Sequence, residues 1–394
     1  SPLNTANMDW TLDNLASDEE LRLREFPVAR KKIFLAHAAV TALPRAAADA
    51  MIDYTRACCE DHQEFTEVFE TIKATRAAAA ELINAKPQEI ALLGPTSLGL
   101  SLFANGLPWE QGDEILCYQD DYPANVYPWL ELRRRGVKVR YLKVDEPGRL
   151  TPESVERQLG AKTKLVALAS CHFFTGYRID IDAIGKLLHA RGILFSLDAI
   201  QTIGAFDTPV THVDFLSADA HKWMLGPMSM GIVYVKEQHH ELLRPSLLGA
   251  WNVISPNFIT QEEIRFEPGA RRYEPGVLNA VGICGLKASL EQFLALGTTN
   301  IENRLLELKD HLLAGLEGAG FEIAPPATGA ARSAITTCRR PGADHAALFA
   351  RLGAEGIVCS HRHNREGADY LRFSHHYYNT EAELDRVLEV IEKF

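Results

Sequence analysis

An α/β fold, with a mostly parallel sheet covered by helices on both faces and a smaller α+β unit behind it, is what this sequence predicts, on three observations. Between about residues 31 and 277, strand-length apolar runs alternate with helical patterns. Such alternation builds parallel strands joined by crossover helices. The runs KLVALAS, ILFSLDA and GIVYV are nearly unbroken in apolar residues, as strands covered on both faces require. A long helical stretch from about Leu278 to Leu316 then leads into short strands and helices with their own pattern. The division is therefore an N-terminal arm at 1–30, a large domain at 31–277, and a long helix with a small C-terminal domain at 278–394.

The elements follow in order. The arm carries a helical piece, LASDEELRLREF, with Ser17 as its cap. The runs EIALLG, DEILCY, KVRYLKV, KLVALAS, ILFSLDA, DFLSAD and GIVYV read as strands, with ESVERQL and IDAIGKLLHARG as helices between them. In the C-terminal unit FEIA, SAITTC and YLRFS are strands, and DHAALFARLGAEG and EAELDRVLEVIEKF are helices. Ligands of open α/β sheets sit outside the carboxyl ends of the strands. Thr96, Tyr122, Asp198 and Lys222 each fall at or just after the end of an apolar run, so the fold gathers them at one edge.

Composition narrows the function. Among 394 residues, 41 Lys and Arg stand against 52 Asp and Glu, a formal net charge of -11, which disfavours a nucleic-acid partner. The one basic block, Arg133 to Arg135, reads as a solvated helix face. Seven scattered cysteines, Cys58 and Cys59 adjacent, make no disulfide framework and suit a reducing, cytoplasmic setting. No apolar stretch reaches the length of a membrane span, so no membrane partner is expected. Cys359, His361 and His363, and the His239/His240 and His375/His376 pairs, include no CxxC or HExxH spacing, and no metal is expected. His361, Arg362 and His363 read better as loop residues near an anionic substrate pocket.

The chemistry centres on ADAHKWMLGP. Lys222 follows a strand and is flanked by Trp223, Met224 and Leu225, apolar surroundings that push an amine toward the neutral form that attacks a carbonyl. Upstream, LDAIQ supplies Asp198 to keep a pyridine nitrogen protonated and Gln201 to reach a ring oxygen. Lysine and carboxylate together are what pyridoxal phosphate requires. The turn GPTSLG opens a helix whose free N–H groups, with Thr96 and Ser97, suit a phosphate. It is not a nucleotide loop of the GxxxxGK type, because Leu100 stands where the lysine is needed. Tyr122 offers an aromatic face to stack on the cofactor ring.

In their order along the chain, FLAHAAVTALPR, GPTSLG, GDEILCYQDDYPANVYPW, FFTGYRIDIDAIG, LDAIQTIG, DFLSADAHKWMLGP, RRYEPG and LRFSHHYYNT resemble the class V aminotransferase family of fold-type I pyridoxal phosphate enzymes. That family includes cysteine desulfurases and isopenicillin N epimerase-like proteins. The resemblance implies a homodimer acting on an α-amino acid through an external aldimine and loss of the Cα proton. It places Lys222 as Schiff-base lysine and base, Asp198 on the pyridinium, Gln201 on the ring oxygen, Tyr122 at the stacking position, and Thr96, Ser97 and His221 on the phosphate. Arg372 falls where the family grips the substrate carboxylate, and His37 lies in the segment laid over the substrate.

Several positions depart from the family. The desulfurases carry a nucleophilic cysteine shortly before the arginine, and the corresponding HRHNREGADY has none. Cys359, in GIVCS, reads as strand packing. Phe173 replaces an asparagine, Val277 a hydroxyl residue, and Asp219 a serine near the phosphate, where it would repel unless turned away. The expected activity is thus a carbon–sulfur lyase working by β-elimination, with aminotransferase or epimerase as the alternative, and a non-catalytic binding protein on the same fold as the rival of another class.

Overall fold

The computed structural model describes residues 8–326 and 328–394. After a short strand β1 (Ile33–Phe34), the chain forms β2 (Ile90–Leu92), β3 (Glu114–Cys117), β4 (Lys138–Tyr141), β5 (Thr163–Ala169), β6 (Leu194–Asp198), β7 (Phe215–Asp219) and β8 (Gly231–Val235). Strands β2 to β8 make one sheet in the order β2-β8-β7-β6-β5-β3-β4. Every strand but β8 points the same way; β8 lies antiparallel between β7 and β2. Alternate side chains feed two cores. Val166 and Leu168 of β5 enter one, while Leu165 and Ala167 enter the other. Burial on both faces is why these runs lack the polar alternation of a half-exposed strand.

Two helices absent from the sequence reading, Arg45–Ala57 and Thr66–Leu82, pack against Ala280–Leu296 and help cover the sheet. The expected long helix after Leu278 is two helices, Ala280–Leu296 and Thr298–Gly318, meeting at 84°. Gly297 makes the break with φ +85°, a conformation that costs glycine little and other residues much. The arm also differs from expectation. Thr11 caps Leu12–Ser17 and Asp18 caps Glu19–Glu25, each accepting a backbone N–H two or three residues into its helix. Ser17 ends the first helix instead of capping one, and its hydroxyl donates back to the Asp13 carbonyl.

The C-terminal unit holds β9 (Glu322–Ile323), β10 (Ile335–Arg339), β11 (Ile357–Val358), β12 (Ser360–His363) and β13 (Asp369–Ser374). Four of these form an antiparallel sheet, β12-β13-β10-β9, backed by the helices His345–Ala354 and Glu381–Glu392 through a core of Leu348, Leu371, Phe373 and Leu384. The GIVCS segment breaks at Cys359, between β11 and β12. His361, Arg362 and His363 therefore stand on a strand, not in a loop. Strand β1 pairs in parallel with β11, and Ala36 bridges Ser374, so residues 33–36 join the small sheet system although the sequence division puts them at the start of the large domain. Among the described residues no single helix is long and apolar enough to cross a membrane.

Candidate active site

A cavity of about 130 Å³ opens where the carboxyl ends of β3, β5, β6 and β7 meet the first turn of the helix Thr96–Gly106. Its walls include Thr96, Ser97, Tyr122, Asp198, Gln201, His221 and Lys222, so the fold brings together all seven residues assigned to the cofactor from sequence. The helix comes close because Gly99 has no side chain: a Cβ there would lie 2.3 Å from Ser217 Oγ on β7. Among the described residues no side chain caps this helix, which leaves its first N–H groups for an anion. Thr96 Oγ1 accepts the Asp219 N–H at 2.9 Å, so its own proton is free to be donated to a ligand.

Asp219 is buried and does not line the cavity; its Oδ1, beside Gly94, has no partner among the described residues. Its Oδ2 accepts the Ser229 N–H at 3.0 Å and is hydrogen-bonded to His221 Nδ1. A carboxylate on Nδ1 orients the imidazole and leaves Nε2 for the cavity. Gln201 is fixed in the same manner. Its Oε1 accepts the Trp223 indole N–H at 2.7 Å, and its Nε2 donates to the Ala38 carbonyl at 3.2 Å. One amide hydrogen remains for a ring oxygen.

Lys222 Nζ also donates to the Ala38 carbonyl, at 2.7 Å. Burial, then the charge of Arg372, lowers this amine from 10.5 to about 8. Asp198 is buried at the end of β6. Its Oδ1 accepts the Ile200 N–H at 3.2 Å, and Oδ2 has no protein donor among the described residues. Burial lifts this carboxyl to about 6, which marks a group short of a cation. A pyridinium N–H would supply both missing donor and missing charge. Tyr122, half-exposed, stands with its ring centroid 5.7 Å from Lys222 Nζ and its edge against Phe173, in position to cover a planar ring.

Arg372 does not line the cavity; it lies behind Phe173, which does. It is 1 % exposed, donates from Nη1 to the Phe173 carbonyl at 2.7 Å, and leaves Nε and Nη2 buried without a partner. Burial, then the neighbouring Arg362, pulls its pKa down to about 9. A buried fork of two unpaired N–H donors matches a carboxylate. His37, like Arg372, does not line the cavity. It is fully buried among Phe34, Trp223, His376 and Tyr378, with Nδ1 on Thr41 and Nε2 on the Tyr378 hydroxyl. Its segment touches the site through the next residue, as the Ala38 carbonyl.

Sequence reading also passed over Asp121, next to Tyr122 on the cavity wall. It accepts from the Tyr122 N–H and the Asn125 amide, yet burial and then the charge of Asp198 raise it from 3.8 to about 7. The folded state holds this proton through a window in which the unfolded chain has released it, so stability is lost as pH rises from about 4 to about 7. Thermal unfolding of cofactor-stripped protein is expected to show that decline, and Asp121→Asn to flatten it. An unchanged slope in the variant would assign the effect elsewhere.

Strand pairing makes one cluster that the spacing rules did not anticipate: His361 and His363 of β12 and Asp369 of β13 have potential ligand atoms within 4.8 Å of one another. These groups already satisfy one another, His361 Nε2 lying 2.8 Å from Asp369 Oδ2 while His345 holds the other carboxylate oxygen. They lie on the face of the small sheet opposite Arg372.

The comparisons with known proteins agree with this geometry. The family model described as aminotransferase class-V matches residues 33–387. A probable cysteine desulfurase of Methanothermobacter thermautotrophicus is 29% identical over 301 residues, 75% of this chain and 74% of its own length. The fold matches the apo structure of a cysteine desulfurase from Thermococcus onnurineus NA1 with TM-score 0.88 at 24% identity, over 95% of this chain and 97% of that one. It also matches a complex of the cystine C–S lyase C-DES with its product, cysteine persulfide, with TM-score 0.84 at 22% identity, over 94% and 99% of the two chains. With the family model spanning nearly the whole chain and a lysine, a carboxylate and an open helix end around one cavity, this protein belongs to the class V aminotransferase family of pyridoxal phosphate enzymes.

Proposed function

We propose that this enzyme is a carbon–sulfur lyase that cleaves an S-substituted cysteine by β-elimination, the substrate and one water yielding pyruvate, ammonium and a free thiol. Bound pyridoxal phosphate supplies an aldehyde for the substrate amine and an electron sink for charge developing at Cα. The protein supplies position and proton transfer. Arg372 takes the α-carboxylate with Nε and Nη2, which fixes the rotation about Cα. Lys222, lowered to about 8, holds a useful neutral fraction near neutrality and takes the Cα proton. Asp198 keeps the ring nitrogen protonated, and His221, held by Asp219, faces the phosphate with Thr96 and the helix end.

The observation that carries lyase over desulfurase is the missing thiol. Between β12 and β13 the chain makes a short turn, Asn364 to Ala368, clasped to the large domain by Arg365 on Asp120 and on the Gln119 carbonyl. It contains no cysteine. Cys359 is 7 % exposed in the core of the small domain, and burial raises its thiol to about 12. Such a thiol is neither ionised nor accessible. The relatives named desulfurase and C–S lyase both support cleavage at sulfur. Steady release of pyruvate and ammonium from S-substituted cysteines without added keto acid tests the reading; turnover only with a keto acid would make the enzyme a transaminase. Cys359→Ala is expected to keep most of this activity. Its loss with the cofactor spectrum intact, or a persulfide trapped on Cys359, would turn the reading to desulfuration.

A homodimer is part of this reading. It is supported by large apolar side chains left in solvent between residues 228 and 277: Met228, Phe258, Ile259 and Val277 are each at least 61 % exposed. Light scattering at the monomer mass would overturn it. A cytoplasmic setting is supported by the cysteines, all of them unpaired.

A further inference from the structure

The small sheet gathers a second set of reactive side chains on the face turned away from Arg372. His361 and His363 stand two apart on β12, so both leave the same face of the strand. In the β12–β13 register Asp369 is paired with His363, which puts its carboxylate on that face as well. The potential ligand atoms of the three residues all lie within 4.8 Å of one another. No motif spacing announces such a set, because strand pairing supplies the third member.

The carboxylate is oriented from behind. His345 opens the helix His345–Ala354 and is 2 % exposed, and its Nε2 accepts the Arg340 N–H at 2.9 Å. A ring nitrogen that accepts carries no hydrogen, so the hydrogen of His345 sits on Nδ1 and is donated to Asp369 Oδ1 at 3.2 Å. Oδ2 is thereby left to face His361 Nε2, 2.8 Å away. Phe349, one helical turn beyond His345, stacks on the His361 ring with 5.8 Å between centroids and restricts its rotation. His363 is exposed, its ring centroid 4.9 Å from that of His361, and it has no hydrogen-bond partner among the described residues. A buried hydrogen bond that anchors one carboxylate oxygen and presents the other is how metal ligands are held ready.

We propose that His361, His363 and Asp369 bind a divalent ion of the zinc type, with solvent in the fourth position. Two imidazoles and one carboxylate suit Zn²⁺, whereas Ca²⁺ and Mg²⁺ need more oxygen donors and cuprous ion prefers thiolates or thioethers. On binding, His361 gives its Nε2 lone pair and keeps its hydrogen on Nδ1, and the ion takes the place of the hydrogen that Oδ2 now accepts. His363 and Asp369 are the last pair before the turn Asn364 to Ala368, so the ion pins the base of the turn whose Arg365 holds Asp120 of the large domain. The site takes no part in the cofactor reaction.

The test is titration of the holoenzyme, free of any affinity tag, with Zn²⁺, followed by calorimetry and by thermal unfolding. One ion per chain is expected, with a rise in the unfolding midpoint because the metal binds the folded hairpin and not the open chain. His363→Ala, at an exposed position, and His361→Gln are each expected to weaken binding at least about tenfold and to remove that rise while the cofactor spectrum stays as it is. Co²⁺ in place of Zn²⁺ is expected to give visible absorption bands that both variants lose. His311→Ala, which removes an exposed histidine–carboxylate pair with Asp385, is expected to change nothing. Absence of binding, or binding that survives in both variants, would overturn the site. Zinc lost from His311→Ala instead, or from a Cys58→Ser, Cys59→Ser protein that lacks the adjacent thiols, would also overturn it.

Discussion

Lys222→Ala protein is expected to bind pyridoxal phosphate without a covalent bond and to lose turnover by about 1,000-fold or more, since one residue supplies both the anchoring amine and the base. The size of the effect follows from the site. Among the described residues no second amine lines the cavity, and Arg372 of the small domain is a guanidinium that stays protonated near neutrality and accepts no proton. Borohydride reduction followed by peptide mapping checks the assignment directly. The adduct is expected on Lys222 in the wild type and on no residue in the variant; an adduct on another lysine would displace Lys222 from its role.

Asp198→Asn is expected to retain the cofactor but slow exchange of the substrate Cα proton by about 100-fold or more, roughly 3 kcal/mol. The phosphate contacts and Lys222 still hold the ring, so binding survives. Asparagine cannot keep a proton on the ring nitrogen, and the electron sink is lost with that proton. The carboxyl at this position already sits at about 6 for want of a cation, so its interaction with a pyridinium is unusually direct. Exchange monitored in deuterated water decides the matter, and a wild-type rate in the variant would remove Asp198 from beneath the ring.

Most of the cofactor site was legible because each residue stands at a strand end, and strand ends in a parallel sheet converge by topology alone. Lys222, Asp198, Gln201, Thr96 and Tyr122 could be placed from apolar runs without any knowledge of contacts. His37 could not. Its segment does reach the site, but a strand-like stretch presents carbonyl and side chain in different directions, and here the carbonyl of Ala38 points inward while the imidazole of His37 joins the core. Asp121 was passed over because an acid beside an acid reads as solvated surface; only burial shows otherwise. The helices Arg45–Ala57 and Thr66–Leu82 escaped because neither begins on a side-chain cap. The shared face of Arg339, Arg362 and Arg372 depends on cross-strand register, which joins them across a helix, a strand and a turn and leaves no trace in local pattern.

The Ala38 carbonyl ties the amine of Lys222 to a segment that is bonded to the small domain. Residues 33 to 38 are joined to the small sheet, through β1 on β11 and through Ser374, which bonds the backbone of both His37 and Ala38. The resting Lys222 therefore rests on an acceptor owned by the domain that also carries Arg372. The same carbonyl also accepts from Gln201 Nε2, so one backbone acceptor holds both the amine and the amide on the cavity wall. A change in the six-residue stretch 33–38 therefore reaches the amine of Lys222 through a single carbonyl, from a place far away in sequence.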